Sequence, residues 1–208
     1  MSELSDGPRY LAWVRNGAWV AVILIAVAAL GYSYYARTSA KGNAPQIGGT
    51  FALTDQLGHG VSDRDLTGKV LVIYFGFTHC PDACPTTLQA VGAALSRLSP
   101  STRAQIKPVF ITLDPERDTP EIMGEYVKGF IPGGVGLTGS PAAIAAIARK
   151  YRIGYQKIKD PKSALPYTID HASIVYIMDR NGHFVRFYPP GFTPDELAKS
   201  LKEAVAAP

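Results

Sequence analysis

The chain is poor in thiols, in imidazoles and in net charge. Its 208 residues include two cysteines, three methionines and four histidines. Chemistry that needs soft or basic ligands is therefore confined to a few named positions. The folded part also lacks a charge excess. Arg9, Arg15, Arg37 and Lys41 lie outside it, so the formal +4 falls to 17 basic against 15 acidic residues from Pro45 onward. That balance excludes the basic stripe of a nucleic-acid binder. Internal repeats and low-complexity tracts are absent, and the length suits one globular unit with an appendage. The N-terminal tail carries Glu3 and Asp6, so it lacks the Arg-rich, acid-poor character of an organelle transit peptide. A bacterial membrane is the setting this leaves.

Charge is missing altogether from Gly17 to Ala36, "GAWVAVILIAVAALGYSYYA", a run of 20 residues. As a helix rising about 1.5 Å per residue, it would span about 30 Å, the hydrocarbon thickness of a bilayer. Trp13 and Trp19 at one end and Tyr32, Tyr34 and Tyr35 at the other suit two interfacial belts. A cleavable signal peptide has a shorter apolar core, and Thr38-Ser39-Ala40 makes a poor cleavage site. Arg9 and Arg15 on one flank oppose Arg37 and Lys41 on the other, so charge leaves the orientation open. The expected organisation is a tail over 1–16, a transmembrane anchor over 17–36, a Gly/Pro-bearing linker over 37–49 and a globular domain over 50–208.

Within that domain, Phe51 to Leu53 and "LGHGVSDRDLTGK" suggest an entry hairpin. The apolar run Val70 to Phe75 reads as a strand buried on both faces. Thr119-Pro120, Ser140-Pro141 and Thr193-Pro194 each place a hydroxyl at a helix N-cap and proline at the first helical position, and Glu196 completes a capping box with Thr193. A further helix begins near Cys84 or Pro85, with Leu88, Val91, Leu95 and Leu98 on one face and Pro100 as its stop. Strands are expected over Val109 to Leu113, Ser173 to Met178 and His183 to Tyr188, the last two joined by an "DRNG" turn. This order is thioredoxin-like: an α/β fold with a mixed central sheet flanked by helices, preceded by one transmembrane helix.

Cys80 and Cys84 fall in the loop leaving the first central strand, at the start of the next helix. There, unpaired N–H groups and the helix dipole favour thiolate. Pro81 and Pro85 make an exposed turn, a poor place for two inert structural thiols. The spacing permits a disulfide or a shared metal ion, and does not choose between them. It does differ from ordinary thioredoxin, which has two intervening residues where this chain has three.

A metal would need more ligands. Two thiolates and one imidazole suit copper(I) far better than magnesium, calcium or manganese, whereas structural zinc takes four protein ligands. His171, on the loop before a strand, is the best third ligand. His79 adjoins Cys80, but neighbours in an extended segment point apart, so its expected role is to tune the thiolates. His59 and His183 read as surface residues. Met1, Met123 and Met178 form no cluster. Asp114, Glu116, Arg117 and Asp118 belong near the same rim, in loop bonding or in docking. The basic run Arg149, Lys150, Arg152, Lys157, Lys159 and Lys162 reads as a solvated helix end and hairpin.

Three segments, "GKVLVIYFGFTHCPDACPTTL", "VFITLDPERDTPEIMGEYV" and "DHASIVYIMDRNGHFVRFY", together resemble the SCO/SenC family of copper-binding proteins, which assist assembly of cytochrome c oxidase. The resemblance covers most of residues 46 to 207. Cys-x-x-x-Cys alone is a weak signal; with "DPERDTP" and the downstream Asp-His it is specific. The resemblance implies that Cys80, Cys84 and His171 bind copper, as copper(I), copper(II) or both. It implies a periplasmic domain, held in a bacterial inner membrane by a single pass, that delivers copper to the dinuclear centre of cytochrome c oxidase subunit II. Another periplasmic copper carrier or a thiol–disulfide reductase would be a further partner. The rival within the same pattern is thiol–disulfide exchange, with Cys80 and Cys84 as a redox pair keeping the recipient's cysteines reduced. No other catalytic residue is assigned.

Overall fold

A computed structural model of the chain describes residues 19–33, 46–159 and 166–207. The chain divides into two compact units, Met1–Pro45 and Gln46–Pro208. In the first, residues 19–33 form helix α1, with every side chain exposed. Among the described residues no helix is long and apolar enough to cross a membrane. The tail, both ends of the expected anchor and most of the linker lie outside the described residues, as do Asp160 and Lys162.

The second unit begins with a hairpin, β1 (Ala52–Asp55) and β2 (Gly60–Ser62), and a 3-10 turn (Asp63–Leu66). Then follow β3 (Val70–Gly76), α2 (Ala83–Ser96), α3 (Pro100–Arg103), β4 (Ile106–Thr112), α4 (Pro120–Phe130), β5 (Val135–Thr138) and α5 (Pro141–Lys150). A second hairpin, β6 (Tyr155–Ile158) and β7 (Thr168–His171), precedes β8 (Val175–Met178), β9 (Phe184–Tyr188) and α6 (Pro194–Ala206). The main sheet runs β2-β1-β5-β4-β3-β8-β9, while β6 and β7 make a separate two-stranded sheet. Strands β3, β4 and β5 are parallel, and β1 and β8 join antiparallel, so the sheet is mixed. This is the thioredoxin-like α/β architecture.

All seven residues of β3 are buried, as a near-continuous apolar run flanked by strands on both sides requires. Each expected hydroxyl cap is formed: Thr119 Oγ1 accepts from Ile122 N, Ser140 Oγ from Ala143 N and Thr193 Oγ1 from Glu196 N. The Thr193–Glu196 capping box is complete.

Four details differ from expectation. Pro100 does more than stop α2: it opens the short helix α3, with Ser99 as its cap. Strand β4 starts at Ile106 and runs through Pro108, where β5 has not yet begun to pair; β5 meets β4 only from Val109. A residue lacking an N–H is accommodated there because that side of the strand has no partner. Strand β5, short and holding Gly136, was not anticipated. His171 is the last residue of β7 and not a loop residue.

Candidate metal centre

Helix α2 has Asp82 as N-cap, yet the Asp82 side chain makes no capping bond. The sulfur of Cys80, just outside the helix, takes that role: Cys80 Sγ accepts from the Cys84 N–H at 3.4 Å. A helix N-terminus lacks acceptors and carries positive potential, so negative charge on this sulfur is favoured. Cys84, in the first turn, is fully buried in the core. Its sulfur lies over Gly76, where a Cβ would come within 2.8 Å of it. Both thiols are free.

Their surroundings separate their acidities. The Cys84 thiol, hydrogen-bonding to Cys80, is the main cause that brings Cys80 down to about 4, against the opposing effect of burial; His171 and the Cys84 and Asp82 amides add to the lowering. Cys84 goes the other way, chiefly because its proton is held by the Cys80 sulfur and secondarily because it is buried. The pair is therefore one exposed-side thiolate and one buried thiol. Burial, and then the neighbouring Cys84, pushes the Tyr74 hydroxyl up. Tyr74 stays protonated, donating to Ser173 Oγ at 3.3 Å.

His171 closes the group. Its Nε2 is 3.6 Å from Cys84 Sγ, and its Nδ1 is 3.2 Å from the Ala172 carbonyl oxygen. A carbonyl only accepts, so Nδ1 carries a proton, and whenever the ring is neutral it is the Nε2 lone pair that faces the sulfurs. Edge contacts with Tyr74 and Phe77, at ring-centroid distances of 6.4 and 5.9 Å, hold the imidazole plane.

The donors suit a soft ion. Ligands at about 2.3 Å (sulfur) and about 2.0 Å (nitrogen) from one ion lie about 3.5–3.7 Å apart when they subtend roughly 110–120°, taking zinc as the ruler. The Cys84–His171 separation falls at that value. Among the described residues no group of three or more His, Cys, Asp or Glu side chains already converges as a metal cage. Cys80 Sγ, which accepts from the Cys84 amide at the helix terminus, would be the third donor.

The loop after β4 supports this site. Asp118, fully buried, accepts from Thr78 N at 3.0 Å, Thr78 Oγ1 at 2.6 Å and Thr112 Oγ1 at 2.5 Å, so it pins the start of the thiol loop. His79 does not face the thiols: its Nδ1 is 3.1 Å from Thr78 Oγ1 and 3.7 Å from Asp118 Oδ1. Asp114, also fully buried, pairs with Arg117. Glu116 bonds Lys157 at 2.7 Å as a surface pair, and Lys157 stays exposed, as the solvated run requires. His59 and His183 lie in two hairpin turns of one design, each beside an aspartate four residues earlier, Asp55 at 3.5 Å and Asp179 at 3.3 Å. Sequence reasoning missed Gly76, Tyr74, Phe77 and Tyr167. A tyrosine inside an otherwise apolar strand run was the one available signal, since a buried hydroxyl needs a partner.

The SCO1/SenC family model matches residues 39–206. "Protein SCO1 homolog 1, mitochondrial" of Arabidopsis thaliana is 35% identical over 212 residues, covering 92% of this chain and 63% of that protein. The chain thus spans less than two thirds of that relative's length. The "SCO2-like protein" of Rickettsia felis is 37% identical, with 86% of this chain and 92% of the relative covered. Bradyrhizobium japonicum ScoI, solved with copper bound, is 43% identical, covers 76% of this chain and 99% of its own, and superposes with a TM-score of 0.69.

Proposed function

The chain belongs to the SCO1/SenC family, and we propose that its globular unit carries one copper ion on Cys80, Cys84 and His171 and delivers it to the dinuclear copper centre of cytochrome c oxidase subunit II. The observation that carries this reading is the placement of His171 Nε2 at 3.6 Å from Cys84 Sγ. Disulfide exchange has no need of an imidazole lone pair at that point, whereas a soft ion on two thiolates gains a third donor from it. The cargo is released by ligand exchange: an incoming thiolate replaces a departing one, and no bare ion forms. Cys80 is the sulfur to leave or arrive first, because it is partly exposed while Cys84 is buried.

In this reading residues 17–36 anchor the protein by one pass in a bacterial inner membrane, 37–49 tether it, and 50–208 face the periplasm. The uncharged run and its aromatic flanks support the span, and the family resemblance supports the periplasmic side. A periplasm-only reporter fused after Pro208 is expected to be active in membranes; activity of a cytoplasm-only reporter would exclude it.

The acidity split of the two thiols supports a second reading, a dithiol reductant acting on the recipient's cysteines. A low-pKa thiolate at a helix start beside a buried thiol is the arrangement such exchange uses. His171→Ala separates the two. A copper carrier loses oxidase maturation while the Cys80–Cys84 disulfide still forms, and copper(II) binding suffers more than copper(I) binding. A reductant keeps oxidase assembly in the histidine variant and loses it in Cys80→Ser and Cys84→Ser.

A further inference from the structure

The two halves of the site stand on different foundations. Cys80 and Cys84 rise from β3 and α2, at the centre of the seven-stranded sheet, but β7, which ends in His171, pairs only with β6. Ladder hydrogen bonds to the main sheet therefore do not hold β7 directly; side chains do, buried Ile169 among them. Tyr167, immediately before β7, gives its hydroxyl to Asp114 Oδ1 at 2.8 Å, and its carbonyl oxygen accepts from Arg117 Nη1 at 3.1 Å. Two cations lie over its ring, Arg117 Cζ at 3.9 Å and Lys157 Nζ at 4.5 Å from the centroid. Lys157 belongs to β6 and is itself bonded to Glu116. Both strands of the hairpin are thus held by residues 114–117, and the same segment ends in Asp118, which holds Thr78 of the thiol loop.

We propose that Arg117 and Tyr167 are positioning residues that clamp the β6–β7 hairpin and thereby set the approach of His171 to the thiols. The Asp114–Asp118 segment is the common seat: one end fixes the sulfurs, the other the imidazole. Arg117 suits the task because a planar guanidinium can stack on the tyrosine ring, bond its carbonyl and pair with a buried carboxylate at once, which an ammonium cannot. Where the clamp is loosened, the β6–β7 ladder opens more often and His171 samples positions away from Cys84.

The inference rests on the copper reading in one arm of its test and is independent of it in the other. Copper(I) affinity of the full chain in detergent is measured by competition with bathocuproine disulfonate, for the parent, Arg117→Gln, Tyr167→Phe, His171→Ala and each clamp variant combined with His171→Ala. A clamp that acts through the imidazole predicts a loss of roughly tenfold in Arg117→Gln and several-fold in Tyr167→Phe, but under about twofold for either change once His171 is alanine. Equal losses in both backgrounds, or none in the parent background, overturn it. If Arg117→Gln does not fold, Tyr167→Phe, which removes one hydroxyl, decides alone. In the metal-free arm, amide exchange over Tyr155–Ile158 and Thr168–His171 quickens in both variants while β3 and β4 are unchanged. Unaltered hairpin exchange overturns the clamp. Quickened exchange in a chain that takes up no copper(I) supports the clamp and overturns the copper reading.

Discussion

Reduced, metal-free protein should show a thiol reactivity profile unlike that of a free cysteine. With Cys80 lowered from an ordinary 9.0 to about 4, the sulfur is a thiolate throughout pH 5–8. An ordinary thiol is ionised to only about one part in a thousand at pH 6. Nucleophilicity falls with pKa, with a Brønsted slope of about 0.4–0.5, so a shift of this size costs about 100–300-fold in intrinsic rate. The two effects combine to make Cys80 about three- to tenfold faster than an ordinary thiol at pH 6 and about ten- to thirtyfold slower at pH 8. Iodoacetamide labelling from pH 5 to 8, read by mass spectrometry of the peptides, should therefore give a nearly flat profile at Cys80 and almost no label at buried Cys84. In Cys84→Ala the largest cause of the lowering is gone. The midpoint moves up toward 9, and the rate climbs with pH across the same range. A rate in the parent that rises about tenfold per pH unit, or equal labelling of both cysteines, would refute the reasoning.

Gly76→Ala puts a methyl 2.8 Å from Cys84 Sγ and 3.0 Å from the Phe110 and Tyr74 rings; in a buried central strand it should cost about 1–3 kcal/mol by urea unfolding. Asp118→Ala leaves the Thr78 amide and the Thr112 hydroxyl without their acceptor. A loss of about 1–3 kcal/mol for each group left buried and unpaired is expected in the same assay. Thr193→Ala removes the α6 capping box and should lower stability by about 1 kcal/mol in thermal melts, with copper(I) affinity unchanged.

Local chemistry made much of this fold legible. A hydroxyl followed by proline has a short-range meaning, and Thr119, Ser140 and Thr193 each cap the helix expected of them. The same pair at Ser99-Pro100 was read only as an end to α2, because a stop and a start look alike when four helical residues follow. Pro108 hid the first half of β4, since whether a strand tolerates proline depends on where its neighbour stops pairing, which is a tertiary fact. The two thiols were found because helix-start chemistry is local. The supports of His171 were not, because Tyr167 meets Asp114 across 53 residues of sequence and no periodicity announces such a contact.

That difference in span has a consequence for the order in which the molecule is made. Cys80 and Cys84 are four residues apart and meet within a single helix start; Cys84 and His171 are 87 residues apart. A chain emerging from its N-terminal end can thus bring its sulfurs together as soon as β3 and α2 form, long before the histidine has been synthesised. Local contacts close early and long loops late. If Cys80, Cys84 and His171 are the donors proposed above, every newly made copy is a dithiol before it is a three-donor site, and for that interval an oxidant has access to the sulfurs with no imidazole beside them. Because copper needs the reduced dithiol, the proposed function then depends on the nascent pair staying reduced until His171 arrives.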